Sequence, residues 1–420
     1  TQSLVINNTQ GGVLASAGQL NISGSSLDNQ GGQIQALGDA NISLGGTLNN
    51  TASLVRSGQF LNITADDIVN VNTQGNNQGL EGISVSLNAQ QIDNRQGAVR
   101  ADDALVVTNG NSIDNTLGLI SSGKTATLQD VNLAAKALAI TNTGGTMIAG
   151  QALNIDSDSL SGDGKVLSLG DLSVKLTQNY THTGELQANG SASLETTGAI
   201  SNQSTLLAGM ALNLKAVSID NQASGQISAN QVNLEAADNQ TLTNRGLIDG
   251  QDTIIETVTL NNLGPGRIYG DHIAISATSL SNDVENGVAP VIAARDRLDV
   301  GAQTITNREH ALIFSAGDLA IGGSLDANKQ TTGQVITLNN NSATIEALGN
   351  MAISAVSVNN TNEHFSTQIV TVSTTAVNEF QGYGASNRYP ASGVYRRYIR
   401  DDFYQWVING TGYDKSYQYV

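Results

Sequence analysis

The sequence has 420 residues, of which 45 are glycine, three are proline and none is cysteine, so the fold has no disulfides. Its formal net charge of −17 argues against a nucleic-acid-binding protein, because phosphate binding requires a basic surface. No apolar run approaches the roughly eighteen residues of a membrane-spanning helix. The scarcity of proline likewise excludes a proline-rich disordered linker.

A pattern of about twenty residues repeats along most of the chain and is clearest between Leu20 and Asn50. Leu20 and Ile22 alternate with polar residues, which predicts short strands with one buried face. Such strands cannot bury their apolar side alone, but stacked copies that pair in parallel share one continuous core. The sequence therefore predicts an all-β, right-handed parallel β-helix with two or three strands per coil. The handedness follows the crossover rule for parallel strands.

Each unit closes on a small polar residue, usually Asn, which lies two positions after an aliphatic residue. Asn and Gly both tolerate the positive φ of tight corners. Stacked Asn side chains could also form amide ladders, and the alternative is a solvated turn residue. The predicted structural corners are Asn8, Asn29, Asn50, Asn94, Asn115, Asn202, Asn221, Asn244, Asn262, Asn282 and Asn307. Other units close at Asn70, Asn142, Gly162, His182, Ala327 and Asn360.

These positions predict about seventeen coils, which at one strand spacing per coil make a rod roughly 80 Å long. Where the spacing lengthens, we expect a loop inserted at a corner. The four predicted insertions are Gln74 to Gly82, the interval between Asn115 and Asn142, Asp283 to Pro290, and Asn328 to Ser342. Because Thr1 falls in mid-pattern, the sequence is expected to be a segment of a longer polypeptide.

The composition changes near Asn360. Only four aromatic residues precede this position and twelve follow it, and the last sixty residues carry five basic and five acidic side chains. We predict two domains, a repeat β-helix over 1–360 and an aromatic and Arg-rich segment over 361–420 that continues beyond this sequence. Tyr, Trp and Arg are enriched at binding hot spots. The candidate receptor-binding residues are Tyr383, Arg388, Tyr389, Tyr395, Arg396, Arg397, Tyr398, Arg400, Phe403, Tyr404 and Trp406. The alternative is that these rings form the core of a small domain that caps the solenoid.

The repeat from Leu20 to Ala36, with the form L-x-I-x-G-x-x-L-x-N-x-x-G-x-I-x-A, resembles the haemagglutinin repeats of filamentous-haemagglutinin-like exoproteins of Gram-negative bacteria. The resemblance covers about residues 1 to 360. These proteins are secreted by a two-partner system, and they include adhesins and the effectors of contact-dependent growth inhibition. The stretch from Val377 to Arg388 resembles the end of the first repeat region of the growth-inhibition effectors.

The resemblance implies a secreted, cell-surface fibre that binds an outer-membrane protein or glycan on a neighbouring bacterium and delivers a toxin encoded further along. It also implies an outer-membrane transporter as a partner, engaged through a part of the protein outside this sequence. A host-directed adhesin is the second interpretation. Val284 to Gly287 is close to the VENN tetrapeptide that precedes the toxin in such effectors, but it lacks the second Asn and repeats continue after it.

An enzyme is the least favoured interpretation. A β-helix polysaccharide lyase would cluster carboxylates on one face, whereas the pairs Asp66/Asp67, Asp102/Asp103, Asp156/Asp158 and Asp401/Asp402 lie on distant units. The four histidines are too widely spaced for a local metal motif. We therefore predict no catalytic residue, no metal, no cofactor and no nucleic-acid partner.

Overall fold

The structure is a computed structural model that describes residues 4–236, 240–381, 386–400, 403–408 and 411–412. The chain divides into two compact units, Thr1–Glu363 and His364–Val420. The first unit is a parallel β-solenoid of about 17 turns, which confirms the predicted fold class. Its right-handed winding stays a prediction from the crossover rule.

Each coil adds one short strand to each of three parallel sheets, so the number of strands per coil is three. The first sheet contains the strands Val13–Ser16, Gln33–Ala36, Leu54–Ser57, Gly79–Gly82, Ala98–Ala101, Leu119–Ser122, Thr146–Ala149, Lys165–Ser168, Glu185–Ala188, Thr205–Ala208, Gln226–Ser228, Leu247–Asp249, Leu312–Ser315 and Thr344–Ala347. The second sheet contains Leu20–Gly24, Ala40–Leu44, Phe60–Thr64, Thr125–Asp130, Ala152–Asp156, Asp171–Leu176, Ala192–Thr196, Ala211–Ala216, Gln231–Ala236, Asp252–Glu256, Asp318–Gly322 and Met351–Ile353.

The third sheet contains Val5–Asn7, Ser26–Asp28, Thr47–Asn49, Asp67–Val69, Ala139–Thr141, Ser159–Ser161, Tyr180–His182, Ala199–Asn202, Ser218–Asn221, Thr241–Asn244, Thr259–Leu263, Val335–Asn341 and Ala355–Thr361. Four longer strands bend from one sheet into the next. Ser84–Asp93 and Ala104–Asp114 run through the second and third sheets, and Arg267–Asp283 and Val291–Arg308 run through all three.

The core consists of aliphatic side chains stacked in register from coil to coil. In the second sheet Ile42 pairs with Ile22 on one side and with Ile63 on the other, and Ile63 is fully buried. Because successive strand residues point to opposite faces, every second residue enters this core. Each buried aliphatic side chain contributes roughly 1.5–3 kcal/mol, so the stack of coils is stabilised along its whole length.

The predicted unit-closing position at Ala327 is wrong. Asn340 occupies that corner, because it pairs with Asn307 across the third sheet. The predicted insertion from Asn328 to Ser342 is also misplaced, since Val335–Asn341 is a regular strand. The inserted chain instead forms a hairpin of Ser324–Leu325 with Thr331–Thr332. The hairpin lengthens the spacing between Asn307 and the next corner asparagine, Asn340, so one complete coil does not show the usual repeat length.

The second unit contains antiparallel strands. Glu379–Gln381 pairs with Arg388–Pro390, a short 3₁₀ helix follows at Ala391–Gly393, and Val394–Arg400 pairs with Phe403–Ile408, which in turn pairs with Thr411–Gly412. Before these strands, the segment between Thr361 and Glu379 has no regular secondary structure. Ile369 and Val372 in this segment are almost fully exposed.

Candidate functional site

The corner asparagines lie between the third and first sheets and form buried amide ladders. The Nδ2 of Asn29 donates to Oδ1 of Asn50 at 2.9 Å and also to the carbonyl of Leu54 at 3.1 Å, so both of its amide hydrogens are used. The first ladder joins Asn8, Asn29, Asn50, Asn70, Asn94, Asn115 and Asn142. The second joins Asn202, Asn221, Asn244, Asn262, Asn282, Asn307, Asn340 and Asn360. These amides hold successive coils together, and a buried interior member such as Asn29 has no donor hydrogen left for a ligand.

An inserted loop between Gln74 and Gln78 is held against the first sheet by two arginines. Glu81 lies between them and accepts from Arg56 Nη2 at 2.6 Å and from Arg100 Nη1 at 2.9 Å. The same Arg100 atom donates to the carbonyl of Gln78 at 2.9 Å. The adjoining hollow of about 460 Å³ is lined by Arg56, Glu81, Arg100 and Asp102 among others. Its two positive and two negative charges cancel, so the hollow has no excess charge with which to select a charged ligand.

A second inserted loop is organised by the buried carboxylate of Asp130. The backbone N–H groups of Ala137 and Leu138 both donate to its Oδ2 at 2.6 Å, and the N–H of Asn132 donates to Oδ1 at 2.7 Å. Burial raises the pKa of Asp130, but these hydrogen bonds outweigh burial and the pKa lies below its ordinary value. The insertion predicted between Asn115 and Asn142 is therefore a fixed turn around one carboxylate.

The Val284 to Gly287 segment belongs to a third rigid corner loop. Glu285 pairs with Val288 across a tight turn, and Arg245 binds the Glu285 carboxylate with two hydrogen bonds of 2.7 and 2.9 Å. These hydrogen bonds lower the pKa of Glu285. The regular coils continue beyond this loop through Val291–Arg308, as expected for a corner insertion.

The inserted hairpin folds back onto the outer face of the second sheet and is anchored on Asp299. This carboxylate has no solvent exposure and accepts from Arg297 Nη2 at 2.9 Å, from His272 Nε2 at 3.3 Å and from Thr331 Oγ1 at 2.7 Å. Burial raises the pKa of Asp299, but the hydrogen bonds lower this pKa by a larger amount, so the carboxylate stays ionised. Gly301 allows the close approach, since a Cβ there would lie 2.4 Å from the carbonyl carbon of Ser324. Lys329 pairs with Glu256 at the hairpin tip.

Replacing Asp299 with alanine is expected to release this hairpin without unfolding the coils. Thr331 loses its acceptor, whereas the parallel strands keep their own pairing. We expect trypsin cleavage after Lys329 to accelerate at least about tenfold, because local opening sets the rate of proteolysis. Mass spectrometry of timed digests measures this rate. Asp318→Ala is the control, since Asp318 binds Asn350 rather than the hairpin, and equal rates in both variants would contradict the anchoring role.

Among the candidate receptor-binding residues, the structure brings several into adjacent antiparallel strands. Arg396 is opposite Trp406, Tyr398 is opposite Tyr404, and Arg400 is opposite Phe403. Tyr395 and Arg397 are opposite Val407 and Gln405 in the same pair of strands. Arg388 and Tyr389 lie in the preceding hairpin, where Arg388 is exposed and Tyr389 is half-buried. Tyr383 lies outside the described residues.

The carboxylates of the solenoid are spread over many coils. No group of three or more His, Asp or Glu side chains suited to hold a metal ion occurs within the described ranges. At the surface, Arg295 lies between two carboxylates, Asp271 at 2.7 Å and Asp249 at 3.5 Å. No helix in the described part of the chain has the length and apolar character needed to cross a bilayer.

The family model "Haemagglutinin repeat" matches residues 4–52, 125–175 and 291–378. The chain is 25% identical over 349 residues to the tRNA nuclease CdiA of Escherichia coli O6:K15:H31 (strain 536 / UPEC), an alignment that covers 77% of this chain and 10% of that protein. It is 26% identical over 340 residues to a Toxin CdiA of Escherichia coli, covering 75% of this chain and 10% of the relative. It is 32% identical over 210 residues to the deoxyribonuclease CdiA of Dickeya dadantii (strain 3937), covering 49% and 6% respectively. No solved structure matches the chain.

The chain thus spans about a tenth or less of the length of these relatives. Its three-sheet coils and amide ladders define a structural segment built of haemagglutinin repeats. Together with the sequence similarity, these features support a filamentous-haemagglutinin-like protein that is similar to the CdiA toxins of contact-dependent growth inhibition. The nuclease activities in the relatives' names are statements about those whole proteins.

Proposed function

We propose that this segment is the spacer and the receptor-binding part of a secreted contact-dependent growth-inhibition exoprotein. The solenoid acts as a spacer on the surface of the producing cell. The aromatic strands after His364 bind an outer-membrane protein or glycan on a neighbouring bacterium, so that a toxin further along the polypeptide is delivered. The segment itself acts by binding and carries out no catalysis.

The observation that supports the spacer is the stacking of parallel coils with buried aliphatic rows, in which the first and second sheets are continuous through the described coils. A stack of this kind is stabilised by contacts between neighbouring coils, so it can be lengthened by adding repeats without a new core. Its corners are closed by side chains that bond within the protein, as at Asn29 and Asp130. Such corners leave few polar groups free to bind a substrate, which favours a spacer role for the solenoid over a substrate-binding cleft.

The observation that supports the recognition surface is the pairing of aromatic and arginine positions in the antiparallel strands. Arg396 with Trp406 and Tyr398 with Tyr404 are directly opposed in register, and residues of these types dominate binding energy at protein interfaces. The negative charge resides in the repeat region, whereas the last sixty residues carry equal numbers of basic and acidic side chains. An acidic cell surface therefore repels this segment less than it repels the solenoid.

The experiment that tests recognition compares fluorescently labelled full chain with the Tyr398→Ala, Tyr404→Ala, Trp406→Ala triple variant on Gram-negative cells. Each truncation at a hot spot costs about 1–2 kcal/mol or more, so we expect at least about a hundredfold weaker attachment. Phe365→Ala is the matched control, because Phe365 is an exposed aromatic residue outside these strands. Its attachment should equal that of the unsubstituted chain.

Circular dichroism and thermal unfolding of the same variants distinguish recognition from capping. Loss of attachment with unchanged unfolding of the solenoid supports recognition. Loss of solenoid stability in the triple variant would instead identify the rings as a cap. Attachment to animal or plant cells but not to bacteria would favour a host-directed adhesin and overturn the proposed bacterial target.

A further inference from the structure

The third sheet is interrupted at one position along the described solenoid. Ser159–Ser161 pairs with Ala139–Thr141 on one side, and Tyr180–His182 pairs with Ala199–Asn202 on the other. Within the described residues, no strand pairing joins Ser159–Ser161 to Tyr180–His182. The first and second sheets continue past this place, as in the pairing of Lys165–Ser168 with Glu185–Ala188. We call this interruption the seam.

The asparagine ladder breaks at the same seam. Asn142 is the last member of the first ladder, and its Nδ2 donates to the carbonyl of Lys165 at 3.1 Å. The next corner is Gly162, which has no side chain and a φ of +100°. The corner after that is His182, and the second ladder begins only at Asn202. The strand pairing of the third sheet and the asparagine ladder are therefore both interrupted at one place. The coils stay joined at the two ends of these strands, where Gln178 N–H donates to the carbonyl of Asp158 at 3.0 Å and Glu185 N–H donates to the carbonyl of Gly164 at 3.1 Å.

His182 occupies this corner with its imidazole almost fully buried. Its Nε2 lies 2.9 Å from the carbonyl oxygen of Thr205, and its Nδ1 lies 3.0 Å from the Tyr180 hydroxyl. A carbonyl can only accept, so Nε2 carries the proton and donates, and Nδ1 accepts from Tyr180. This arrangement uses both nitrogens of a neutral ring.

No carboxylate described around the seam neutralises a charge on His182. Asp163 accepts from the backbone N–H of Gly144, Glu185 pairs with Lys165 at 2.9 Å, and Asp158 faces the side chains of Thr177 and Gln178. The strand Ala199–Asn202 brings no ionisable group to the ring. Burial lowers the pKa of His182 below its ordinary value, and the bond to Thr205 raises it by a smaller amount.

From this geometry we propose that the seam is the weakest joint of the solenoid and that protonation of His182 opens it. The unfolded or opened ring binds a proton near its ordinary pKa of about 6.5, whereas the closed ring resists it. The opened state therefore binds more protons below that pH, and the stability of the joint falls as the pH drops from about 6.5 toward the pKa of the closed ring. Above that pH the neutral ring is fully accommodated.

Hydrogen exchange followed by mass spectrometry on the full chain tests the seam directly. At about pH 7.5 we expect amides of 159–164 and 180–184 to exchange at least about tenfold faster than those of the neighbouring corners, 139–144 and 199–204. At about pH 5, after correction for intrinsic exchange, this ratio should rise further. Equal protection of all four segments at neutral pH would overturn the proposed joint.

The double variant Tyr180→Ile, His182→Asn isolates the contribution of the histidine. It installs the residue types of the next coil, where Ile200 and Asn202 pair in register with Tyr180 and His182. We expect the acid-dependent increase to disappear while part of the neutral-pH difference remains, because Gly162 still interrupts the ladder. An acid-dependent increase that is absent from the unsubstituted chain, or that survives in the double variant, would overturn the role of His182. Neither outcome bears on cell attachment, so this test is independent of the proposed recognition function.

Discussion

Replacing Asn244 with alanine is expected to lower the free energy of unfolding of the solenoid by about 2–4 kcal/mol. Asn244 accepts from Asn221 at 2.7 Å and donates to Asn262 Oδ1 at 2.9 Å and to the carbonyl of Arg267 at 3.3 Å. All three asparagines are fully buried. Alanine leaves their polar groups without partners in the interior, and each such group costs about 1–3 kcal/mol.

Two further variants test whether the loss of buried hydrogen bonds causes the destabilisation. One keeps the volume of the side chain, and the other removes an amide that lies on the surface. Asn244→Asp keeps the size of the side chain but removes both donor hydrogens and buries a charge, so it should destabilise at least as much as alanine at neutral pH. Asn233→Ala is the control, because Asn233 bonds to Asn213 on the outer face at 2.6 Å where water can replace it. We expect this control to cost less than about 1 kcal/mol.

Urea unfolding monitored by circular dichroism measures these differences, with the midpoint as the quantity compared, since a repeat protein need not unfold in one step. If Asn244→Ala and Asn233→Ala shifted the midpoint equally, the buried ladder would contribute no more than a surface pair. The corner asparagines would then owe their positions to turn conformation alone.

The solenoid was predictable from sequence because two separate features mark each repeat unit, the alternation of apolar and polar residues and the asparagine at the corner. The alternation around Ile22 and Ile42 predicts an inward row, and the Asn that follows marks the corner, so the fold class needs no long-range information. The prediction at Ala327 failed for a physical reason. The hairpin that displaces the next corner is anchored by Asp299, a contact between residues about thirty positions apart that no local pattern encodes.

Part of the seam is also visible in the sequence. Gly162 and His182 close their units where Asn is expected, so the loss of two ladder members could be predicted from identity alone. The loss of strand pairing beside them could not, because Ser159–Ser161 and Tyr180–His182 each pair regularly with the coil on their other side and so look like ordinary strands of the repeat. For the aromatic segment, composition predicted a distinct module, but only the strand register shows which positions are opposed.

Gly118→Ala is the second substitution with a large expected effect, a loss of about 2–3 kcal/mol, and its cause is steric. A Cβ at this position would lie 2.3 Å from the carbonyl oxygen of Asn94 and 2.4 Å from Oδ1 of Asn115, both of which belong to the ladder. Both contacts are too short for a Cβ, so Asn94 and Asn115 must both move away from it, which strains the corner and lengthens ladder hydrogen bonds. In an unstrained position the same change would stabilise by about 0.4–1 kcal/mol, because alanine restricts the unfolded chain.

Gly45→Ala supplies that unstrained comparison, since no atom lies within 4 Å of a Cβ built there. Urea midpoints of the two variants should therefore move in opposite directions. The corner before Leu312 carries Ala311 and the corner before Leu54 carries Ser53, so some coils do accommodate a Cβ. If Gly118→Ala proved neutral, the corner at Asn115 would have the same freedom to adjust. Glycine there would then reflect turn conformation rather than the close stacking of one corner on the next.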